Sequence, residues 1–260
     1  MAEPFDVNFC FPIRQLENDR IKLTPYIVRN LPSTSNSSII LIVSYQPSIH
    51  TPPFFALSSP HPELYTHLPF GPFSSSLAFD KYLASRIHPD PALVLFAIID
   101  KTRSADPLNS DKDGALAGVI GFLNSSPQNL STEIGFVIIT PPFQRTHVTS
   151  NAVGLLLLYT LNLPSDGGLG LRRVQWQTNS ANAASVGVAE RMGFRKEGLL
   201  RWDRVLHSGL EKGKIGNGRI MPRTDGNEND IGRDTIMLSL CWDDWEDGGR
   251  EKVKILMDRR

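Results

Sequence analysis

Cysteine is scarce in this sequence. The chain has 260 residues and two cysteines, Cys10 and Cys241, which lie near opposite ends. Two such distant residues provide neither a disulfide framework nor the clustered spacing of a metal site, so no bound metal is expected. Unpaired thiols are typical of a reducing compartment. Because free cysteine is often buried, Cys241, which lies between Leu240 and Trp242, is predicted to be a core thiol.

An excess of charge of either sign is also missing. Lys and Arg total 27, Asp and Glu total 27, and the formal net charge is zero. A neutral chain has no broad field that would attract nucleic acid or an anionic membrane, so neither is expected as a partner. An anionic ligand must therefore be held by a local group of donors.

Long apolar runs are missing as well. The longest, from Leu93 to Ile99, is far shorter than a membrane span. The first residues contain acids and no apolar segment of the kind that a secretory signal needs. We expect a soluble, cytoplasmic protein that is a monomer or a homodimer. Hydrophobic residues make up 40% of the chain, enough for a core, and the length fits one large domain or two small ones.

The order of the predicted elements indicates a mixed sheet. The pattern Thr51-Pro52-Pro53 is typical of a helix start, with the Thr51 hydroxyl as N-cap and proline in the first turn. Antiparallel strands followed by β-α-β-α-β imply a sheet with helices on both faces. The predicted strands cover residues 20–26, 39–43, 92–100, 115–123, 132–139, 172–178, 195–203 and 235–242, and the predicted helices begin at 51 and cover 76–87, 148–161, 182–192 and 244–257.

Two stretches in the second half are similar to a known family. Residues 132–157 read TEIGFVIITPPFQRTHVTSNAVGLLL and resemble the acetyl-CoA-binding strand, loop and helix of the GNAT superfamily of N-acetyltransferases. Residues 177–201 read QTNSANAASVGVAERMGFRKEGLLR and resemble the helix and strand that follow. The NxxS, AERMGF and EG motifs, with LPFGPF at 68–73, resemble the RimJ/RimL branch, whose members acetylate protein N-termini and small amines.

This resemblance implies a fold, a co-substrate and an acceptor. It covers residues 20–245 and is densest over 133–201. It implies a single GNAT domain over 1–260, best supported across 115–245. The fold class would be α+β (mixed α/β), with a central, mixed, mostly antiparallel twisted sheet and helices on both faces. The co-substrate would be acetyl-CoA, and the acceptor would be the primary amine of a small molecule or of a peptide N-terminus.

In this family a loop that enters a helix N-terminus binds the diphosphate of CoA. Unpaired backbone N–H groups and the helix dipole supply the attraction. Gln144–Ser150 is predicted to be that loop, although Arg145, His147 and Thr149 stand where the family often has glycine. Arg145 and Thr149 can donate to phosphate oxygens, whereas His147 either contacts phosphate or is solvated. The residues expected to bind acetyl-CoA are Phe136, Val137, Ile138, Ile139, Gln144, Arg145, Thr146, His147, Val148, Thr149, Ser150, Asn182 and Ser185.

Amine acetylation needs a donor for the oxyanion, a donor for the leaving sulfur and a route for the amine proton. The resemblance assigns the first role to backbone N–H groups of Phe136–Ile139. Many family members protonate the sulfur with a tyrosine where this chain has Ala189. In the RimJ/RimL branch the serine of NxxS is the usual substitute, which points to Ser185. Asn182 would face the pantetheine arm and can also cap its helix.

The general base stays open between several residues. Glu133, on the strand with the acetyl site, can take the amine proton through water. Asp203 follows the EG pair, Asp234 begins the last strand, and His207 is a further candidate. Each of these groups could equally be an exposed charge or an ion-pair partner. No dedicated base is needed if burial lowers the pKa of the amine.

Two functions remain open from the sequence. The Asn182–Ser185 pair and the EIGF strand favour an active N-acetyltransferase, which is the reading we prefer. The missing loop glycines and the missing tyrosine favour a non-catalytic acyl-CoA-binding protein with a degenerate phosphate loop. The insertion at 208–232 is either a lid or recognition loop for the acceptor or a disordered surface segment.

Overall fold

The structure is a computed structural model, and it describes residues 8–26, 50–105, 113–207, 213–219 and 230–259. The predicted strand at 39–43 lies outside these residues. Most of the insertion predicted at 208–232 also lies outside the described residues.

Eight strands form the central sheet. They are β1 (Leu16–Glu17), β2 (Ile21–Pro25), β3 (Val94–Asp100), β4 (Ala115–Ser126), β5 (Ser131–Ile139), β6 (Arg173–Asn179), β7 (Arg195–Leu206) and β8 (Ile231–Cys241). Their order across the sheet is β1-β2-β3-β4-β5-β6-β8-β7. Every neighbouring pair is antiparallel except β5 and β6, which run parallel. The predicted mixed, mostly antiparallel sheet is confirmed.

Helices cover both faces of this sheet, as predicted. They are α1 (Thr51–Ser58), α2 (Ser76–Tyr82), α3 (His147–Leu161), α4 (Ala183–Arg191), α5 (Trp242–Asp244) and α6 (Arg250–Asp258). Side chains alternate between the faces of a strand. Phe96 and Ile98 of β3 therefore belong to the buried cluster that contains α3, whereas Leu95 and Ala97 belong to the cluster that contains α1 and α2. Within the described residues, no helix is long and apolar enough to cross a membrane.

Two local predictions are wrong. Cys241 is half-buried instead of buried, because it ends β8 with its sulfur beside the polar side chains of Arg173 and Ser239. Thr51 is not the N-cap of α1, since His50 holds that position and makes no side-chain cap bond. Pro52 lies in the first turn and has no N–H, so this turn has one donor fewer to satisfy.

A bulge interrupts the pairing of β5 with β4. Val119 pairs with Ile138, but Gly121 pairs with Gly135, so β5 has one residue more than β4 in this interval. Phe136 lies inside the interval with φ of 53°, a left-handed conformation that is uncommon for residues with a side chain. Because a bulge bends its strand and increases the local twist, β5 leaves the regular line of the sheet at this point.

Gly118, which adjoins the bulge, has no room for a side chain. An added Cβ would lie 2.1 Å from the backbone oxygen of Ile138. Since that oxygen belongs to the backbone and cannot move aside as a flexible side chain could, we expect Gly118→Ala to lower the free energy of unfolding by about 1–3 kcal/mol. Urea unfolding measures this change. Gly198→Ala is the matched control, because nothing lies within 4 Å of a Cβ added to this β7 residue, and it should shift stability by less than about 0.5 kcal/mol. Equal losses in the two variants would contradict the steric role of Gly118.

Candidate active site

The two parallel strands, β5 and β6, separate along their length and leave a cleft between them. Residues 131–133 pair with residues 173–175. Beyond them, residues 134–139 pair only with β4 and residues 176–179 only with β8. The two strands therefore diverge after the bulge begins, and a cleft of about 870 Å³ lies between them. We call it the first cleft.

The loop after β5 and the N-terminus of α3 form one end of the first cleft. This end is lined by Gln144, Arg145, Thr146, Thr149 and Ser150. Thr146 is the N-cap of α3: its hydroxyl accepts the Val148 N–H at 3.3 Å and donates to the Phe143 carbonyl at 2.6 Å. The other amides of the first helical turn have no partner inside the helix. With the positive end of the helix dipole, they make this end of the cleft suitable for an anion.

Arg145 gives the loop the backbone path that a glycine would give. Its φ is 59°, and its side chain is exposed. Gln144 holds the loop against the end of β5, since its Nε2 donates to the Ile139 carbonyl at 2.9 Å. The absence of glycine therefore leaves the shape of the loop intact.

The side chains of His147 and Val148 do not line the first cleft. The His147 Nε2 lies 3.2 Å from Oδ1 of the buried Asp100 on β3, and burial lowers the pKa of His147. Val148 is fully buried in the core. At these two positions only the backbone N–H groups can contribute to an anion site at the helix N-terminus. The geometry therefore does not support the predicted contact between the His147 ring and phosphate.

Asn182 and Ser185 both line the first cleft from α4. The Asn182 Oδ1 accepts the Ser185 N–H at 3.1 Å, so Asn182 is the predicted N-cap. The Ser185 Oγ accepts the indole N–H of Trp176 at 2.9 Å. Because this bond uses a lone pair and not the hydroxyl hydrogen, Ser185 keeps its own O–H for an acceptor in the cleft.

A second cleft, of about 640 Å³, meets the first. It lies between the LPFGPF segment at 68–73, the end of α2 and the far side of β5. Phe136, the bulge residue, therefore lies where a ligand in one cleft would touch a ligand in the other. The residues that line both clefts are Leu68, Gly135, Phe136, Gln177 and Arg233.

Glu133 lines the second cleft and is 4% exposed. The Asn124 side chain donates to its Oε2 at 2.7 Å. Burial raises the pKa of Glu133 above its usual value, while this hydrogen bond and the charges of Arg204 and Arg233 act against the rise. A carboxylate with a raised pKa is a stronger base, so Glu133 suits proton abstraction from an amine in this cleft.

The other base candidates have structural partners and line neither cleft. Asp203 accepts a hydrogen bond from the Thr235 hydroxyl at 2.7 Å and pairs with Arg204 at 3.3 Å. Asp234 and His207 also have hydrogen-bond partners. Of the base candidates, Glu133 alone meets the joined clefts.

Of the insertion predicted at 208–232, residues 213–219 are docked on the fold, and Ile231 and Gly232 belong to β8, which begins earlier than predicted. The Lys214 Nζ donates to two backbone carbonyls of the segment 65–70, each at 2.7 Å, and burial lowers its pKa to about 8. Asn179, at the end of β6, donates to the Ile215 carbonyl at 2.8 Å. This segment thus joins the wall of the second cleft to the end of β6, and the disordered alternative is wrong for these residues.

Trp176, Gln177 and Arg233 are among the residues of the clefts that sequence analysis missed. Arginine is seldom buried, so nothing marked Arg233 as a lining residue. The signal that could have found it is alternation in β8, because Thr235, two residues further on, is fully buried on the same face.

Comparison with known proteins agrees with this geometry. A sheet that parts beside a helix N-terminus suited to an anion, with a second cleft at the parting, fits an acyltransferase that uses an acyl-CoA. Residues 40–195, more than half of the chain, match the model of the acetyltransferase (GNAT) domain family. The chain therefore belongs to the GNAT acetyltransferase family, whose co-substrate is acetyl-CoA.

Several solved structures share the fold. A GCN5-related N-acetyltransferase from Brucella melitensis is 22% identical with a TM-score of 0.66, and the match covers 94% of this chain and 85% of that chain. A probable acetyltransferase of the GNAT family from Chromobacterium violaceum is 25% identical with a TM-score of 0.62, covering 89% and 88%. The Salmonella typhimurium acetyltransferase that modifies the N-terminal serine of ribosomal protein L7/L12 is 16% identical with a TM-score of 0.57, covering 88% and 99%. Among curated protein sequences, none matches the chain.

The left-handed conformation of Arg145 leads to a prediction about the phosphate loop. Arg145→Gly and Arg145→Ala both remove the guanidinium, but only glycine adopts a φ of 59° without strain. We expect the glycine variant to be more stable than the alanine variant by roughly 1 kcal/mol in urea unfolding. Titration with acetyl-CoA should show weaker binding in both variants than in the unmodified protein, since both lose a cation beside the diphosphate. Equal stability of the two variants would show that the loop does not hold this conformation.

Proposed function

We propose that this protein is an acetyl-CoA-dependent N-acetyltransferase that acts on the primary amine of a small molecule or of a peptide N-terminus. One observation is the main support: the two clefts meet at Gly135 and Phe136, on a strand whose outer edge is left unpaired by the bulge. A thioester in the first cleft and an amine in the second would touch at that point. Acyl transfer requires this contact and the exclusion of bulk water from it.

The residues of the first cleft fit acetyl-CoA. The N-terminus of α3 suits the diphosphate, and Arg145 adds a positive charge beside it. Asn182 and Ser185 lie on the opposite wall, along the expected path of the pantetheine arm. The unpaired edge of residues 136–139 provides backbone N–H groups for the acetyl carbonyl.

The chemistry then follows from three groups. The amine nitrogen attacks the thioester carbonyl, the new C–N bond forms, and the oxyanion accepts hydrogen bonds from backbone N–H groups at 136–139. Glu133 receives the amine proton, directly or through water. As the C–S bond breaks, the Ser185 O–H donates to the departing thiolate, in the role that tyrosine fills in many members of the family.

The non-catalytic alternative has no support in the geometry. It rested on a degenerate phosphate loop and on the missing tyrosine. Arg145 adopts the left-handed conformation that a glycine would adopt, and Ser185 lines the cleft with a hydroxyl hydrogen that has no acceptor among the described residues.

We place the protein in the RimJ/RimL-like branch of the family. The NxxS motif forms the cap of α4, and the first three residues of LPFGPF, 68–70, line the second cleft. We further propose that residues 1–260 form one catalytic domain, that it works in the cytoplasm, and that residues 208–232 shape acceptor access as a lid. The docked segment 213–219 supports this last assignment.

A binding experiment followed by a turnover experiment tests the proposed activity. Isothermal titration should show binding of acetyl-CoA, and a thiol-release assay over amino acids, polyamines, aminoglycosides and N-terminal peptides should find at least one acceptor. Ser185→Ala should bind acetyl-CoA equally well and release thiol about 10 to 100 times more slowly, because one hydrogen bond to a charged sulfur is lost. Ser180→Ala, at a serine that lines neither cleft, is the control.

Binding without thiol release on any amine would refute the catalytic proposal, and absence of binding would refute the co-substrate site. Ser185→Ala also removes the acceptor of the Trp176 N–H. The melting temperature of this variant should therefore be recorded beside its rate.

The role of Glu133 predicts a pH dependence. Burial raises its pKa, and a base must be deprotonated to act, so kcat/KM should fall as the pH drops through a value above the usual range for glutamate. Glu133→Gln should lower kcat/KM by about 10²- to 10⁴-fold and remove this acid limb.

Glu197→Gln is the matched control. Glu197 lines neither cleft, and its hydrogen bonds with Arg173 lower its pKa to about 2, so its loss should leave the acid limb in place. A Glu133→Gln enzyme that kept the same acid limb would show that another group is the base.

A further inference from the structure

The guanidinium of Arg233 is buried and has no hydrogen-bond or ion-pair partner among the described residues. Arg233 is 5% exposed, and its Nε is wholly buried without a hydrogen bond. Among the described residues, no carboxylate lies within ion-pair distance of its guanidinium. Burial lowers the pKa of Arg233 to about 10, so the group still bears its charge at neutral pH. An unpaired buried charge is strongly unfavourable, which indicates that a ligand completes the site.

The position of Arg233 identifies the cleft that this ligand enters. Arg233 lies at the junction, away from the helix N-terminus that suits the diphosphate. Two further arginines, Arg86 and Arg204, line the second cleft and not the first. The acids of the second cleft are Glu133 and Asp90, and Asp90 already accepts a backbone N–H bond at the rim. Arg204 pairs with Asp203 at 3.3 Å, so of the two arginines nearest the junction Arg233 is the one that no described carboxylate contacts.

We propose that the acetyl acceptor has a carboxylate close to its amine and that Arg233 binds this carboxylate. The inference rests on the proposed function above. In the bound acceptor the amine faces Glu133 and the carboxylate faces Arg233, so opposite charges meet at both ends. The flat guanidinium presents parallel N–H donors that match the two oxygens of a carboxylate.

The carboxylate can belong to a free amino acid or to an acidic side chain next to a peptide N-terminus. The chemistry at Arg233 is the same in both cases. A polyamine, by contrast, would bring a second positive charge toward the unpaired guanidinium of Arg233 and is expected to be a poor acceptor.

Matched acceptors in the thiol-release assay test the proposal. One pair is serine and serinamide, and the other is two tetrapeptide amides that begin serine-aspartate and serine-asparagine, with spermidine as a cationic acceptor. In at least one pair the acidic member should have a kcat/KM about 10 to 100 times higher, the range given by one charge-assisted hydrogen bond. The pair that shows this preference identifies the source of the carboxylate.

Equal or better turnover of the neutral members or of spermidine would overturn the proposal and leave the acetyltransferase activity intact. Thiol release with none of the acceptors of the broad panel would instead refute the proposed function, and this inference with it.

Arg233→Met tests the residue itself. This variant keeps the volume and removes the charge, so turnover of the acidic acceptor should fall about 10- to 100-fold, to the level of its neutral partner. The affinity for acetyl-CoA should not change. The melting temperature should stay equal or rise, because an unpaired buried charge is lost; a merely structural arginine would lower it.

Two further variants complete the test. Arg233→Lys keeps the charge without the parallel donors and should retain part of the acidic preference, which provides a readout if the methionine variant does not fold. Arg201→Met, on the exposed face of β7, is the matched control and should leave the preference unchanged. Weaker acetyl-CoA binding in Arg233→Met, or an equal loss for acidic and neutral acceptors, would assign Arg233 to the co-substrate and overturn the proposal.

Discussion

The active site depends on the close contact between Gly118 and the carbonyl of Ile138. In a regular sheet β5 would pair with β4 on one edge and with β6 on the other along its whole length. The bulge next to this contact turns β5 away from β6 after residue 133. The backbone groups of residues 134–139 that face β6 are then left without a strand partner. Backbone donors along this edge line the first cleft, and we propose that the thioester carbonyl of acetyl-CoA accepts from them.

The phosphate loop solves a related problem without glycine. A neutral chain has to attract a diphosphate locally, so the loop must expose helix amides and must turn sharply before α3. Arg145 makes the turn in a left-handed conformation, and Thr146 caps one amide while the others stay available. The strain at Arg145 is offset by a guanidinium placed where the anion binds. Arg145 thus determines the backbone conformation of the loop and also adds a positive charge beside it.

The element pattern could be predicted because it depends on local periodicity. The nearly continuous apolar run of β3 and the proline pair after β5 marked their elements in the sequence, and the cap at Asn182 did so for α4. The bulge could not be predicted, since the register shift at Phe136 arises from tertiary pairing between two strands. For the same reason the sequence could not choose between Glu133 and Asp203. Glu133 lines the second cleft and Asp203 lines neither cleft, and this difference depends on how the strands are arranged in the sheet.

Predicting the direction of individual side chains was the weakest step, and His147 and Arg233 show why. His147 lies in the phosphate loop by sequence, but its ring has a better partner in the buried Asp100 of a distant strand. Arg233 lies far from every motif, yet the sheet brings it to the junction of the clefts. Burial shifts the pKa of Glu133 upward and that of Arg233 downward, so each group is less stable as an ion than it would be in water. A ligand that brings an ammonium to one and a carboxylate to the other stabilises both charges at once, and this mutual neutralisation is the physical reason to expect a zwitterionic or acidic acceptor in a chain with no net charge.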